Sequence, residues 1–189
     1  MNGPVRIAAF LLIFSMGCNE SLPPPALAGR PHVTVTYYNI EGRTAAELRD
    51  SMRRQHPVGY DGYAGDATTT WNIRWTWKGY GQKECDLSTA EVTYTVDVIL
   101  PHWVPPANAD TALVTRWERY LQSLTFHERG HVENVLAAIP VVRDSITHAN
   151  CGNAESAAQN ALTALRKRDA DYDAVTDHGA TQGARFNAP

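Results

Sequence analysis

Leu124-Thr125-Phe126-His127-Glu128-Arg129-Gly130-His131-Val132 is the stretch on which the fold turns. Leu113, Trp117, Tyr120 and Leu121 before it, and Val135 and Ala138 after it, recur three or four residues apart, so the region reads as one long helix with a single inward stripe. Asp110 supplies its N-cap, and Pro140 is expected to end or kink it, leaving residues 141–148 for another short helix. Glu128 and His131 continue the row of Trp117, Leu121 and Leu124, so they point to the core and not to solvent.

Histidines four apart on a helix stand one above the other, so His127 and His131 can reach one metal ion with Glu128 beside them. Two imidazoles and a third ligand suit Zn2+, leaving one tetrahedral corner for a water whose pKa the metal lowers and whose proton Glu128 accepts. The bland alternative is three solvated side chains on a helix surface. The stripe opposes it, because burying a glutamate with two histidines costs several kcal/mol unless something charged compensates, and a metal does so. Gly130 points the same way: a glycine inside a helix costs about 1 kcal/mol against alanine, and its bare backbone leaves room for close packing or substrate.

The third ligand is open between two residues. Ala137 stands six beyond His131, where a compact three-histidine motif would place its last ligand. Glu155, on a later helix, and His178, near the C-terminus, are the two candidates.

Working outward, Val33-Thr34-Val35-Thr36-Tyr37-Tyr38 alternates and is rich in β-branched residues, so it is a strand. Thr44 then caps a short amphipathic helix through Leu48 and Met52 that ends before His56-Pro57. Trp71, Ile73, Trp75 and Trp77 fall at period two on a second strand. The alternating run Val92-Thr93-Tyr94-Thr95-Val96-Asp97-Val98-Ile99-Leu100 forms a hairpin with it, stopped by Pro101. Residues 154–167 give a last helix through Ala158, Ala161, Leu162 and Leu165, and residues 169–189 read as a polar tail. The fold class is therefore α+β, with a small antiparallel sheet packed against helices in a zincin-like arrangement.

The N-terminus reads as an address. Arg6 leads into Ile7-Ala8-Ala9-Phe10-Leu11-Leu12-Ile13-Phe14, far shorter than the ~20 residues of a membrane-spanning helix, which fits a signal sequence. Two processing sites compete, one before Cys18, which would leave a lipid anchor there, and one after Ala26-Leu27-Ala28. Residues 1–28 are assigned to the signal sequence and a tether bearing Pro23-Pro24-Pro25, and residues 29–189 to one domain. Either route exports the protein, to the periplasm, the cell envelope or the medium. Export leaves Cys85 and Cys151 as an even pair in an oxidising compartment, which predicts a disulfide that stabilises by up to ~4 kcal/mol on the chain-entropy model. A net charge of -3 with charges scattered along 189 residues excludes a polyanion-binding role, so no nucleic acid is expected and the membrane is met only through an anchor at Cys18.

Trp71 and Trp75, Leu100-Pro101-His102-Trp103, Trp117 and Tyr120 ahead of the histidine pair, Cys151, Tyr172-Asp173-x-x-Thr176-x-His178-Gly179 and Gln182-Gly183-Ala184 together resemble the DUF922 family of exported bacterial proteins, predicted to be zinc-dependent proteases. The resemblance runs from about Val33 to Phe186. It implies a metallopeptidase-like zinc site, without a substrate, and it favours His178 over Glu155 as third ligand. Asp173 would then orient a ligand imidazole from behind, and Tyr172 would face the substrate. The leading expectation is hydrolysis of a peptide or amide bond in the cell envelope, in a peptide or protein substrate, with Glu128 as general base. The rivals are a non-catalytic envelope protein with a structural zinc site, and a binding module built on the tryptophan-bearing sheet.

Overall fold

The computed structural model describes residues 24–59, 62 and 64–187, so the stretch that reads as a signal sequence, and Cys18, lie outside the described residues. The elements follow in the order β1 (Val33–Ile40), α1 (Ala45–Gln55), β2 (Thr68–Lys78), β3 (Asp86–Trp103), α2 (Thr111–Thr147) and α3 (Ala154–Thr176), with a 3-10 turn over Ala180–Gln182. The class is α+β. The three strands lie in the order β1-β3-β2. β2 and β3 form the expected antiparallel hairpin, with Trp71 opposite Val96 and Trp75 opposite Val92. β1, however, runs parallel to β3, from Val33 beside Val96 to Ile40 beside Trp103, so the sheet is mixed and not wholly antiparallel. Alternation marks a strand without saying which way its neighbour runs. Here β1 and β2 occupy opposite edges, with α1 between them in sequence, and β3 slots between the two.

Pro101 does not stop β3, which continues to Trp103. β2 begins at Thr68, opposite Ile99, so at Pro101 the strand has a neighbour on the β1 side only, a position where a missing N–H is tolerated. α1 starts as read: Thr44 Oγ1 accepts from Glu47 N at 3.2 Å, while Glu47 Oε2 accepts from Arg43 N at 2.6 Å.

The inward face of β3 is Ala90, Val96, Val98 and Leu100, all buried, and α2 packs on it. α2 is continuous across Pro140, so residues 141–148 are the end of the long helix and not a separate one. A proline in a helix interior costs about 3 kcal/mol. Val135 and Ala138 before it, and Val142 and Ile146 after it, are all buried and hold both sides against the core.

α3 also runs past its expected end, from residue 167 to Thr176. Residues 169–176 look like a tail because their inward positions are polar, although the helical period continues. Beyond them Asp177, His178 and Gly179 all take left-handed backbone (φ 49°, 48° and 81°) and reverse the chain. The reversal returns Phe186 to the core, 5.5 Å from the Trp117 ring and 5.1 Å from Tyr120. At the other end the tether is not loose from Pro24 onward: Leu27 N donates to Pro24 O at 2.8 Å, and the Leu27 side chain is 2% exposed. The Cys85–Cys151 disulfide is formed, with a sequence separation of 66, and joins the start of β3 to the turn before α3. Among the described residues no helix is long and apolar enough to cross a membrane.

Candidate metal centre

α2 and α3 form an antiparallel hairpin, and its polar end brings the histidine pair against the last turns of α3. His127, Glu128 and His131 are all buried, as the stripe requires. The two Nε2 atoms converge on one carboxylate oxygen: Asp173 Oδ1 lies 3.2 Å from His127 Nε2 and 3.1 Å from His131 Nε2. The three side chains form a group able to hold a metal ion. The fit can be judged from distances, since ligand atoms about 2.0–2.1 Å from a tetrahedral centre stand about 3.3 Å apart.

The remaining imidazole nitrogens are held from behind. His127 Nδ1 lies 3.1 Å from Gln182 Oε1, and His131 Nδ1 lies 3.3 Å from Asp169 Oδ1. Such partners fix each ring with its Nε2 toward Asp173. Asp169 is itself anchored, with Oδ1 accepting from Asn134 Nδ2 at 2.9 Å and Oδ2 from Trp71 Nε1 at 3.1 Å. Tyr172 stacks on His127, with ring centroids 5.1 Å apart and planes 11° from parallel, and donates to His127 O at 3.3 Å. The tyrosine expected to face the substrate thus packs on the His127 ring. Gly130 permits this, because a Cβ there would fall 2.2 Å from the Tyr172 hydroxyl, and a Cβ at Gly179 would come within 2.8 Å of His127 Cγ.

Electrostatics match the crowding. Burial opposes the charging of His131, yet hydrogen bonds to Asp169 and Asp173, with the Glu128 charge nearby, push it up to about 10. Burial acts to raise Asp173, but the two histidines hold it well below the usual carboxylate range. Burial pushes Glu128 up, against the pull of His131, Thr69 and His127. Thr69 on β2 donates to Glu128 Oε2 at 2.6 Å and fixes that carboxylate at the sheet edge.

Asp173, expected behind a ligand imidazole, stands within the three-donor group, and His178, expected as third ligand, is not part of it. Because α3 continues to Thr176, Asp173 lies on its inward face one turn from the end, whereas His178 sits in the left-handed reversal beyond. His178 Nδ1 is 3.7 Å from Asp173 Oδ1, beside the histidine–carboxylate group and outside it. Glu155 is remote, eighteen residues and about 27 Å back along α3 from Asp173. It accepts from Trp75 Nε1 and Tyr80 Oη, both at 2.8 Å, and ties the hairpin to the helix. Asp169, Gln182 and Thr69 had no assigned role in the sequence reading. Asp169 carries a signal there, standing four residues before Asp173 at the helical repeat, and Gln182 lies in the Gln182-Gly183-Ala184 motif of the resemblance.

A cleft of about 880 Å³ opens over the centre between β2 and α3. Its outer wall includes residues 64–67, pinned by Asp66: Arg49 Nη1 donates to Asp66 Oδ2 at 2.7 Å, Tyr120 Oη to the same oxygen at 2.7 Å, and Tyr38 Oη to Asp66 O at 2.6 Å. The sequence profile of DUF922, described as a bacterial protein of unknown function, matches residues 35–179. The chain belongs to the DUF922 family. That match begins within β1, runs past the end of α3 and stops at Gly179, so Gln182 and Phe186 lie outside it. Neither the curated proteins nor the solved structures contain a match to this DUF922 chain.

Proposed function

We propose that this DUF922 protein is an exported zinc-dependent peptidase that hydrolyses a peptide or amide bond in the cell envelope. The observation that carries the reading is the pairing of a three-donor group, His127, His131 and Asp173, with a buried carboxylate, Glu128, at the floor of an open cleft. Three protein donors suit a catalytic site, which keeps one position free. The disulfide and the sequence of residues 1–14 agree with export.

A zinc ion in this group supplies Lewis acidity and a water of lowered pKa. Gln182 and Asp169 take up Nδ1 of the two imidazoles and leave each Nε2 as the donor that would hold the ion. Glu128 takes a proton on one carboxylate oxygen and later returns it to the leaving amine. Its raised pKa suits both halves of that cycle, because a carboxylate nearer neutrality is the better base and keeps the proton long enough to give it back. Thr69 leaves Glu128 one oxygen for this work by occupying the other.

Glu128→Gln tests the reading, since it keeps size and removes the base. The variant should bind zinc in the wild-type ratio and unfold at the same denaturant concentration or higher, while turnover of a peptide library falls by ~10²-fold to 10⁴-fold. Equal turnover at equal zinc would leave no catalytic function for the site. The second reading, a structural zinc centre, is favoured by one observation, the closeness of His178 to Asp173. There His178 closes the fourth corner, and His178→Ala would lower zinc affinity as much as His131→Ala does.

A further inference from the structure

We propose that the cleft carries an anion subsite, in which Arg166 held over Trp71 selects peptides with a carboxylate two or three residues from the bond at the metal centre. The proposal rests on the peptidase reading for the nature of the ligand. Its position comes from the helical repeat: Arg166, Asp169, Ala170 and Asp173 are spaced i, i+3, i+4 and i+7, so they form one stripe of α3, and all four line the cleft. Seven residues of helix place the start of the Arg166 side chain about 10 Å from that of Asp173, the length of about three residues of extended peptide.

β2 runs along the opposite wall in step with this stripe. Thr69 stands at Glu128, and Trp71, two residues on, lies on the same face of the strand. The guanidinium of Arg166 lies 5.6 Å from the centre of the Trp71 ring, an arrangement that holds the long side chain in place without a counter-charge. The same indole donates to Asp169, so the subsite joins the metal centre through a chain of direct contacts, Arg166 on Trp71, Trp71 on Asp169 and Asp169 on His131.

Charge accounting singles out Arg166. Three arginines line the cleft, namely Arg49, Arg166 and Arg185. Arg49 is paired with Asp66, and Arg185 Nη2 with Asp177 Oδ2 at 3.0 Å. Among the described residues no carboxylate pairs with Arg166, and the near acid of its own stripe, Asp169, has its oxygens taken by His131, Asn134 and Trp71. A planar donor fork over an open cleft, with its ring support in place, takes a carboxylate in two parallel hydrogen bonds.

The test uses binding, so that it stands apart from turnover. Zinc-loaded Glu128→Gln protein is titrated calorimetrically with acetylated, amidated octapeptides carrying one glutamate at each position in turn, each against its glutamine twin. At one position the glutamate peptide should bind about 10-fold tighter. Adding Arg166→Gln should bring that ratio to about 1, while adding Arg185→Gln, which removes a paired cation from the same cleft, should leave it. Equal affinity of the twins at every position, a ratio that survives Arg166→Gln, or no binding of either twin overturns the subsite. A glutamate preference in a protein whose wild type cleaves nothing would remove the peptidase reading and keep the subsite.

Discussion

The pairing of α2 with α3 has two halves that share one geometry and differ in chemistry. Toward the turn that joins the helices, α2 offers Val135, Ala138, Val142 and Ile146, and α3 offers Ala154, Ala158, Leu162 and Leu165, all buried. Toward the open end the same spacing presents His127 and His131 to Asp169, Tyr172 and Asp173, with Glu128 turned to Thr69 on β2. Each large apolar side chain of the first half contributes about 1.5–3 kcal/mol by leaving water, whereas buried ionisable groups cost free energy unless paired. The apolar half therefore fixes the register, and the polar half is stable in that register only with its full set of partners. The disulfide anchors the apolar end, at Cys151, and leaves the metal end to be closed by the chain reversal after Thr176.

The largest effect expected from separating the halves is in the apolar one. Ile146 is 0% exposed, and Ile146→Ala should cost about 2–5 kcal/mol of unfolding free energy with no change in the zinc affinity of the folded domain. Urea denaturation and a competitive zinc titration measure the two quantities separately. A fall in affinity that tracks the fall in stability would mean that the halves are one cooperative unit.

The polar half should reveal itself through pH. In the metal-free protein His131 holds its proton up to about 10, against an ordinary value near 6.5, because Asp169, Asp173 and Glu128 surround it. A raised folded pKa gives stability that is fully present below about 6.5 and is lost as pH climbs toward 10. Metal-free protein should therefore lose on the order of a few kcal/mol across that window, and His131→Asn should flatten the curve. Zinc competes with the same proton, so affinity should rise with pH over the same range. A metal-free stability independent of pH from 6.5 to 10 would show that His131 is neutral and that the carboxylates around it are not its partners.

The two halves were not equally legible in the sequence. Wherever inward residues are apolar the period announces the element, and β2, the core of β3, α1 and the α2 stripe lie where alternation or helical spacing puts them. At the end of α3 the difference has one cause, which is that a polar residue reads as exposed. Residues 169–176 were read as tail because Asp169, Tyr172 and Asp173 are polar, and they are polar because they face histidines. The resemblance puts the third-ligand role on His178, and a tail over residues 169–176 offers nothing that would bring Asp173 to the histidines instead. A proline costs a hydrogen bond locally, so Pro101 reads as a stop and Pro140 as an end or kink; the one-sided pairing at Pro101 and the buried residues on either side of Pro140 become visible only in the assembled fold. The direction of β1 and the return of Gln182 to His127 depend on tertiary contacts that no local pattern encodes.

The smallest effect joins the two halves at one atom and has a sign that can be reversed. Gly130 lies within α2 at the boundary of the metal centre, where alanine would improve helix stability by about 1 kcal/mol. In the folded protein the added Cβ would fall 2.2 Å from the Tyr172 hydroxyl and 2.3 Å from its Cζ, so the ring would have to leave its place on His127. Overpacking of this kind costs about 1–3 kcal/mol, so Gly130→Ala should be neutral to mildly destabilising and should also weaken zinc binding, because His127 loses its brace. In a Tyr172→Ala background the obstruction is gone, and the same substitution should stabilise by up to about 1 kcal/mol. The double-mutant cycle, read from chemical denaturation of all four proteins, should give a coupling of about 1–3 kcal/mol. If Gly130→Ala has the same effect with and without the tyrosine, the glycine is not there to admit Tyr172, and the stacking that steadies His127 needs another cause.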